Sequence, residues 1–339
     1  MRDLKTLPKA HLHLHLELGM RPTTLASLAG KYDEPVPVIR GFGNFTAFSA
    51  TCKTAMNLLR VREDWERLAD EVCADAVGDG AAYIEPSFWP TQYRSIFGSD
   101  EATWELVLSI FDQAASRHGI CARFMAAVDR VIDDEASATK LAELAIRYQP
   151  QGDGIGIVSY GLHNDEVGHP PQDFVDSFRV AREGGLLITP HAGELESGQF
   201  VKDSLDLLGA NRIQHGVRSF EVPGLVEQLA AEGICLDVCP TSNIMLSVFP
   251  SLAEHPLPRL LAAGVKCSIN ADDPLLFGPS MLDEYELCRR EFGLTDEQLA
   301  FVARCSIECG GAPASVKAGA LSGIDAWLAT APSVEPANA

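Results

Sequence analysis

Three imidazoles recur at alternate positions in His11-Leu12-His13-Leu14-His15-Leu16. On an extended strand, residues two apart share a face, so the histidines look one way and the leucines the other. Neutral imidazoles two apart at the end of a strand make half of a site for a divalent metal. The interleaved leucines need burial and argue against a tag-like run. Three further segments carry reactive side chains: His191-Ala192-Gly193-Glu194, Ile213-Gln214-His215-Gly216 and Asn270-Ala271-Asp272-Asp273-Pro274. Taken singly, a loop histidine is often just a satisfied polar residue, and a paired aspartate often just a helix start. All four segments, however, sit at the ends of short apolar runs. Histidine and carboxylate donors gathered from separate strand ends point to a borderline metal such as zinc.

Elements that could position such donors are visible as short apolar runs rich in β-branched or large apolar residues. Candidate strands are Leu12–Leu16, Ala82–Glu85, Ala122–Val128, Ile155–Ser159, Leu186–Pro190, Arg212–His215, Ile234–Val238 and Val265–Asn270. Between them lie helical periodicities: Asp64–Val77, Thr103–Arg117, Ala136–Tyr148, Phe174–Glu183 and Val222–Glu232. This alternation predicts parallel strands with right-handed helical crossovers. Eight such units favour an α/β fold of the TIM (β/α)8 barrel type, in which reactive groups gather at the C-terminal ends of the strands. The long stretch from Arg21 to Gly80 is read as a helical insertion after strand 1. Within it, Gly41-Phe42-Gly43-Asn44-Phe45 fits a mobile lid over residues 41–60 or an ordinary helix connection. Extra C-terminal helices are expected over Met281–Phe292 and Thr295–Glu308, the latter opened by a Thr295/Gln298 capping box. Residues 1–330 read as a single domain and 331–339 as a disordered tail.

A chain of 339 residues, 46% hydrophobic and 22% charged, can bury a large core. Its net charge of −20 repels phosphate backbones, so nucleic acid and anionic membrane are poor partners, whereas a small neutral substrate is compatible. The nine cysteines are an odd number, scattered mostly inside apolar runs. That pattern suits reduced thiols in a cytoplasmic setting rather than a disulfide frame. No signal-peptide core or membrane-span stretch is read in the sequence.

The ordered motifs resemble the adenosine deaminase family of the amidohydrolase superfamily, from about Leu7 to about residue 325. The family's Pro-Lys-Ala-x-Leu-His-x-His-Leu signature reads Pro8-Lys9-Ala10-His11-Leu12-His13-Leu14-His15-Leu16 here. Its His-Ala-Gly-Glu, His-Gly, Cys-Pro-x-Ser-Asn and Asp-Asp-Pro follow in order at 191–194, 215–216, 239–243 and 272–274. The resemblance implies one zinc per subunit, held by His13, His15, His191 and Asp272, with the pKa of its water lowered towards neutrality. It implies that His215 orients this water and accepts or electrostatically balances its proton. Glu194 would protonate the purine ring nitrogen beside the attacked carbon, and Asp273 would bind the imidazole-ring nitrogen. His11 stands where the family usually has Glu and is left outside the metal shell. The implied activity is hydrolytic deamination of a 6-aminopurine: adenosine or deoxyadenosine first, then adenine, then an N6-modified or other 6-aminopurine.

Departures bear on the substrate. The family's His-Leu-Asp-Gly reads His15-Leu16-Glu17-Leu18, which places Glu17 at the sugar side of the site and Leu18 where crowding is expected. Its Ala-Gly-Asp-Glu reads His163-Asn164-Asp165-Glu166, so Asn164 replaces a glycine whose backbone meets the purine. Asp237 stands where Glu commonly precedes Cys-Pro. A cytidine-deaminase type of zinc site fails for want of a Pro-Cys-x-x-Cys. A phosphoesterase or lactonase barrel would often add a bridging lysine for a second metal, and no lysine lies just before His191. A non-catalytic purine-binding barrel predicts loss of Glu194 or His215, and both are present.

Overall fold

Every strand pairing in the computed structural model, which describes residues 1–39, 42 and 45–331, is parallel. The strands are β1 (Lys9–His11), β2 (Ala81–Ile84), β3 (Ser87–Phe88), β4 (Cys121–Ala122), β5 (Phe124–Asp129), β6 (Ile157–His163), β7 (Leu187–Ile188), β8 (His191–Ala192), β9 (Arg212–His215), β10 (Cys235–Val238) and β11 (Lys266–Ile269). They form ladders in the orders β1-β2-β4, β3-β5-β6-β7 and β8-β9-β10-β11. Glu85-Pro86 separates β2 from β3, and Thr189-Pro190 separates β7 from β8. Proline has no N–H to give a ladder. Each proline's carbonyl still accepts, from Met125 N at 3.0 Å and from Gln214 N at 2.9 Å, so the strand direction carries through the break. Helices follow most of these runs, and the strands are almost wholly buried, as parallel sheets require.

The first strand differs from expectation. Its ladder ends at His11, and residues 12–15 continue extended with only isolated parallel bridges, Leu14 to Asp272 and His15 to Ser87. A 3-10 turn then runs over Leu16–Gly19. The cause is a side chain: Asn270 Oδ1 accepts from the backbone N–H of Leu12 (2.8 Å) and of His13 (3.1 Å). The leucines of the alternating run are buried as anticipated. The fourth strand is also displaced, from 155–159 to Ile157–His163, following a turn closed by Gly154 N on Gln151 O at 3.1 Å.

Between β1 and β2 lie α-helices at Pro22–Lys31, Phe45–Met56 and Arg62–Gly78. Of the glycine-rich segment considered as a lid, Gly41, Gly43 and Asn44 lie outside the described residues, as does the expected tail from Pro332 onward. After β11 come Met281–Glu291 and Asp296–Cys309, the latter with both Thr295/Gln298 capping bonds in place at 3.0 and 3.3 Å. A further helix, Ala314–Ala329, was not anticipated; it buries Ala320, Ile324 and Trp327. Among the described residues no helix is long and apolar enough to cross a membrane.

Candidate active site

His13 and His15 leave the end of β1, His191 opens β8, and Asp272 follows β11. Their ligand atoms lie within 4.8 Å of one another. His13 Nε2 and His15 Nε2 stand 3.2 and 3.3 Å from Asp272 Oδ1, and His13 Nε2 stands 3.1 Å from His191 Nε2. The second ring nitrogens explain this convergence. His13 Nδ1 faces the Asp237 carbonyl at 3.1 Å and His191 Nδ1 faces the Leu162 carbonyl at 3.0 Å. A carbonyl only accepts, so both Nδ1 atoms carry hydrogen and both Nε2 atoms present lone pairs. Burial, then the imidazoles of His13, His15 and His215, holds His191 well below the usual histidine range, so it stays neutral. Two lone pairs 3.1 Å apart repel unless a cation lies between them. With an aspartate oxygen and a third imidazole alongside, this donor set fits a divalent metal of borderline softness.

Asp272 is ready for that role. Burial alone would raise its pKa, but the imidazoles of His13, His15 and His215 around it hold it well below the carboxylate range. Its neighbours behave oppositely. Burial pushes Glu194 well up, and the charges of Asp272, Glu166 and Asp273 add to the rise. Burial and Asp272 do the same to Asp273. Glu194 Oε1 and Asp273 Oδ1 are buried with no hydrogen-bond partner. Glu194 Oε2 lies 3.4 Å from His215 Nε2, which is 3.8 Å from Asp272 Oδ2. A protonated carboxyl with a free oxygen, an imidazole and a metal-binding cluster thus share one pocket, lined also by Glu17, His163 and Asn164.

Backbone conformation holds this arrangement. His215, Asp272 and Asn164 adopt left-handed φ values of 63°, 61° and 77°, a region that residues other than glycine seldom occupy outside over-determined sites. Gly193 is also left-handed, and a Cβ there would lie 2.5 Å from Val201 Cγ2. The loop bearing Glu194 is pinned by Glu166, which accepts the N–H groups of Glu194, Leu195 and Glu196 at 3.2, 2.9 and 2.7 Å. Arg218 Nε donates to Glu194 O, and Arg130 Nη2 donates to His191 O at 2.6 Å.

All nine residues singled out in the sequence therefore line or border one pocket, and each finds a distinct setting. Glu17 is buried, accepts from Tyr93 Oη at 3.0 Å, and is pushed up to about 7 by burial. Asn164 replaces a glycine without losing the turn, because asparagine tolerates left-handed backbone. Its side chain is spent on both Asp129 oxygens, at 3.0 and 2.9 Å. His11 stays outside the cluster, its Nε2 accepting from Ala271 N at 3.2 Å. Asp237 serves the site through its backbone carbonyl, while its carboxylate pairs with Arg212 at 2.5 Å. The positioning roles of Glu166 and Arg130 escaped the sequence reading, since nothing local to either residue shows which distant loop it reaches. Trp89 and Phe48 line the same pocket and carried no signal beyond their apolar character.

Residues 8–327 match the model of the adenosine deaminase family. A Streptomyces virginiae protein named an adenosine/adenine deaminase is 41% identical, covering 96% of this chain and 98% of its own. An adenine deaminase of Mesorhizobium japonicum is 36% identical over 93% of this chain and 97% of its own. The crystal structure of adenine deaminase from Arthrobacter aurescens superposes with a TM-score of 0.87 at 28% identity, covering 96% of this chain and all of that one. The parallel sheets with their helices agree with that architecture, the enzyme is a hydrolytic deaminase, and the chain belongs to the adenosine deaminase family.

Proposed function

We propose that this enzyme hydrolyses the exocyclic amine of a 6-aminopurine, with free adenine the preferred substrate and adenosine or deoxyadenosine the second reading. The observation that carries it is the buried Glu194 carboxyl beside His215, its Oε1 without a hydrogen-bond partner, at the edge of the four-residue metal cluster. We assign His13, His15, His191 and Asp272 as the ligands of one zinc ion per subunit, on the strength of their three nitrogens and one oxygen. When bound, zinc supplies a water acidified to a pKa of about 7. Glu194, protonated at neutral pH by its burial, gives a proton to the ring nitrogen beside C6 and makes that carbon electrophilic. Asp273, also held protonated, has a free oxygen for the imidazole-ring nitrogen of the base. Water adds to C6 and gives one proton back to the Glu194 carboxylate, the remaining hydroxyl proton passes to the amine, the C6–amine bond breaks, and ammonia leaves a 6-oxopurine.

Preference for the free base is supported by Glu17 and Leu18, both buried, Glu17 where the family pattern has an Asp at the sugar side and Leu18 where it has a Gly that leaves more room. It is also supported by relatives that bear the name adenine deaminase. The adenosine reading is favoured by the name of the Streptomyces virginiae relative. We further infer that the three ladders are staves of one (β/α)8 barrel within a single domain over residues 1–330. Arg21–Gly80 would then be an insertion at the mouth, with Phe48 and Lys53 of its second helix lining the entrance. Ammonia release by the purified, zinc-loaded enzyme tests the substrate. Adenine should exceed adenosine, deoxyadenosine and N6-methyladenine in kcat/KM by roughly tenfold or more. A reversed order selects the nucleoside, and no release from any 6-aminopurine overturns the assignment.

A further inference from the structure

We infer that Asn243 and His255 set the tautomer of His215, making it a hydrogen-bond donor at Nε2 instead of a fourth metal-binding imidazole. The chain of reasoning starts from a group whose role is beyond choice. Leu257 N lies 3.3 Å from His255 Nδ1, and a backbone N–H only donates. His255 Nδ1 is therefore the lone-pair nitrogen. Its ring is buried, stacked on Phe292 and edge-on to Phe249 with centroids 5.5 Å apart in each case. Burial lowers its pKa to about 3, so the ring is neutral and its one hydrogen sits on Nε2. That hydrogen goes to Asn243 Oδ1 at 3.1 Å.

The amide of Asn243 is thereby oriented, with Nδ2 turned to His215 Nδ1 at 3.2 Å. An amide NH2 only donates, so His215 Nδ1 accepts, and the neutral ring carries its hydrogen on Nε2. Asn243 is itself anchored: its backbone carbonyl accepts from Val248 N (2.9 Å) and Phe249 N (3.2 Å), closing the short helix Pro240–Met245. The contrast with His13 and His191 is direct. Their Nδ1 atoms face carbonyl oxygens and their Nε2 atoms present lone pairs. His215 faces an amide donor, and its Nε2–H points among Glu194 Oε2 and Asp272 Oδ2. His13 and His191 are thus set apart as ligands, and His215 as a donor, by what each Nδ1 meets. In the deamination reading, on which the turnover part of this inference rests, His215 steadies the oxygen that adds to C6 by donating to it.

The test reads the ring nitrogens of the zinc-loaded enzyme made with isotope-labelled histidine. A long-range proton–nitrogen correlation spectrum separates lone-pair from N–H nitrogens, and His215→Gln identifies the signals to assign. His215 should show a lone-pair Nδ1 and an N–H Nε2. Asn243→Asp offers acceptors to both rings, so His215 should change to Nδ1–H, with kcat reduced roughly 100-fold or more while KM and zinc content stay within about twofold. His255→Gln keeps an N–H where Nε2 was and should preserve tautomer and turnover. His255→Leu should lose both, a pair that carries the test even if Asn243→Asp fails to fold. An N–H at Nδ1 in the unmodified enzyme, or an Asn243→Asp variant with unchanged tautomer and turnover, overturns the inference. If the tautomer is as assigned but no 6-aminopurine is hydrolysed, the functional reading fails while this one stands.

Discussion

Glu194 is the side chain on which turnover should depend most steeply. Its carboxyl is buried, lacks a partner on Oε1, and is kept protonated by burial and by Asp272, Glu166 and Asp273. Glutamine has the same shape and no transferable proton. Glu194→Gln should therefore retain its fold and its zinc, measured by elemental analysis, and lose roughly 10²- to 10⁴-fold in kcat. Undiminished kcat would remove the acid role. The residues of the cluster were legible in the sequence because each sits in a short motif at the end of an apolar run. Asn164 was legible as a departure, but its bond to Asp129 was not. Glu166 and His255 were opaque for a physical reason. Each acts by a hydrogen bond whose partner is fixed only by tertiary packing, so their neighbours in the chain say nothing of their use.

Helices outside the strands bring their own titratable groups against the loops of the site. Met281–Glu291 places Glu284 beside the short helix Pro240–Met245 that follows β10, where its carboxylate accepts from Thr241 N at 3.3 Å. Burial raises Glu284 to about 7, only partly offset by Thr241. The folded chain thus holds this proton up to about pH 7, whereas the unfolded chain releases it near pH 4. The stability from this difference is fully present below the unfolded pKa and is lost as pH rises through 7. Wild type should therefore lose on the order of 2 kcal/mol from this group between pH 5 and pH 8, and Glu284→Gln should lose less. Denaturant titrations of both proteins at the two pH values measure the difference, and parallel losses would show that Glu284 is ionised throughout. At this scale the sequence marked most elements correctly and their ends less well. Apolar periodicity survives in any neighbourhood, but boundaries depend on events such as Asn270 capping Leu12 and His13 from another strand. The helix Ala314–Ala329 was missed because its alanines and glycines blur the periodicity, leaving Ile324 and Trp327 as its main apolar anchors.

Across the whole molecule, the proposed ligands come from widely separated parts of the chain and from two separate ladders. His13 and His15 extend from the ladder β1-β2-β4, while His191 and Asp272 belong to or follow the ladder β8-β9-β10-β11. An ion held by all four would bind the folded chain and find no such site in the unfolded one. Its binding free energy then appears as stability, about 4 kcal/mol when free zinc is a thousandfold above its Kd. Removing the metal also restores the repulsion between the lone pairs of His13 and His191, 3.1 Å apart. Chelation should lower Tm by on the order of 5 °C, and stoichiometric zinc should return it, with no substrate present at any stage. His13→Ala should abolish this response, because it removes the imidazole whose Nε2 stands 3.1 Å from His191 Nε2 and 3.2 Å from Asp272 Oδ1. Calorimetric scans with and without chelator, on both proteins, decide the matter. A Tm that ignores zinc in the unmodified chain would mean that these four side chains do not share an ion, and the proposed chemistry would fail with it.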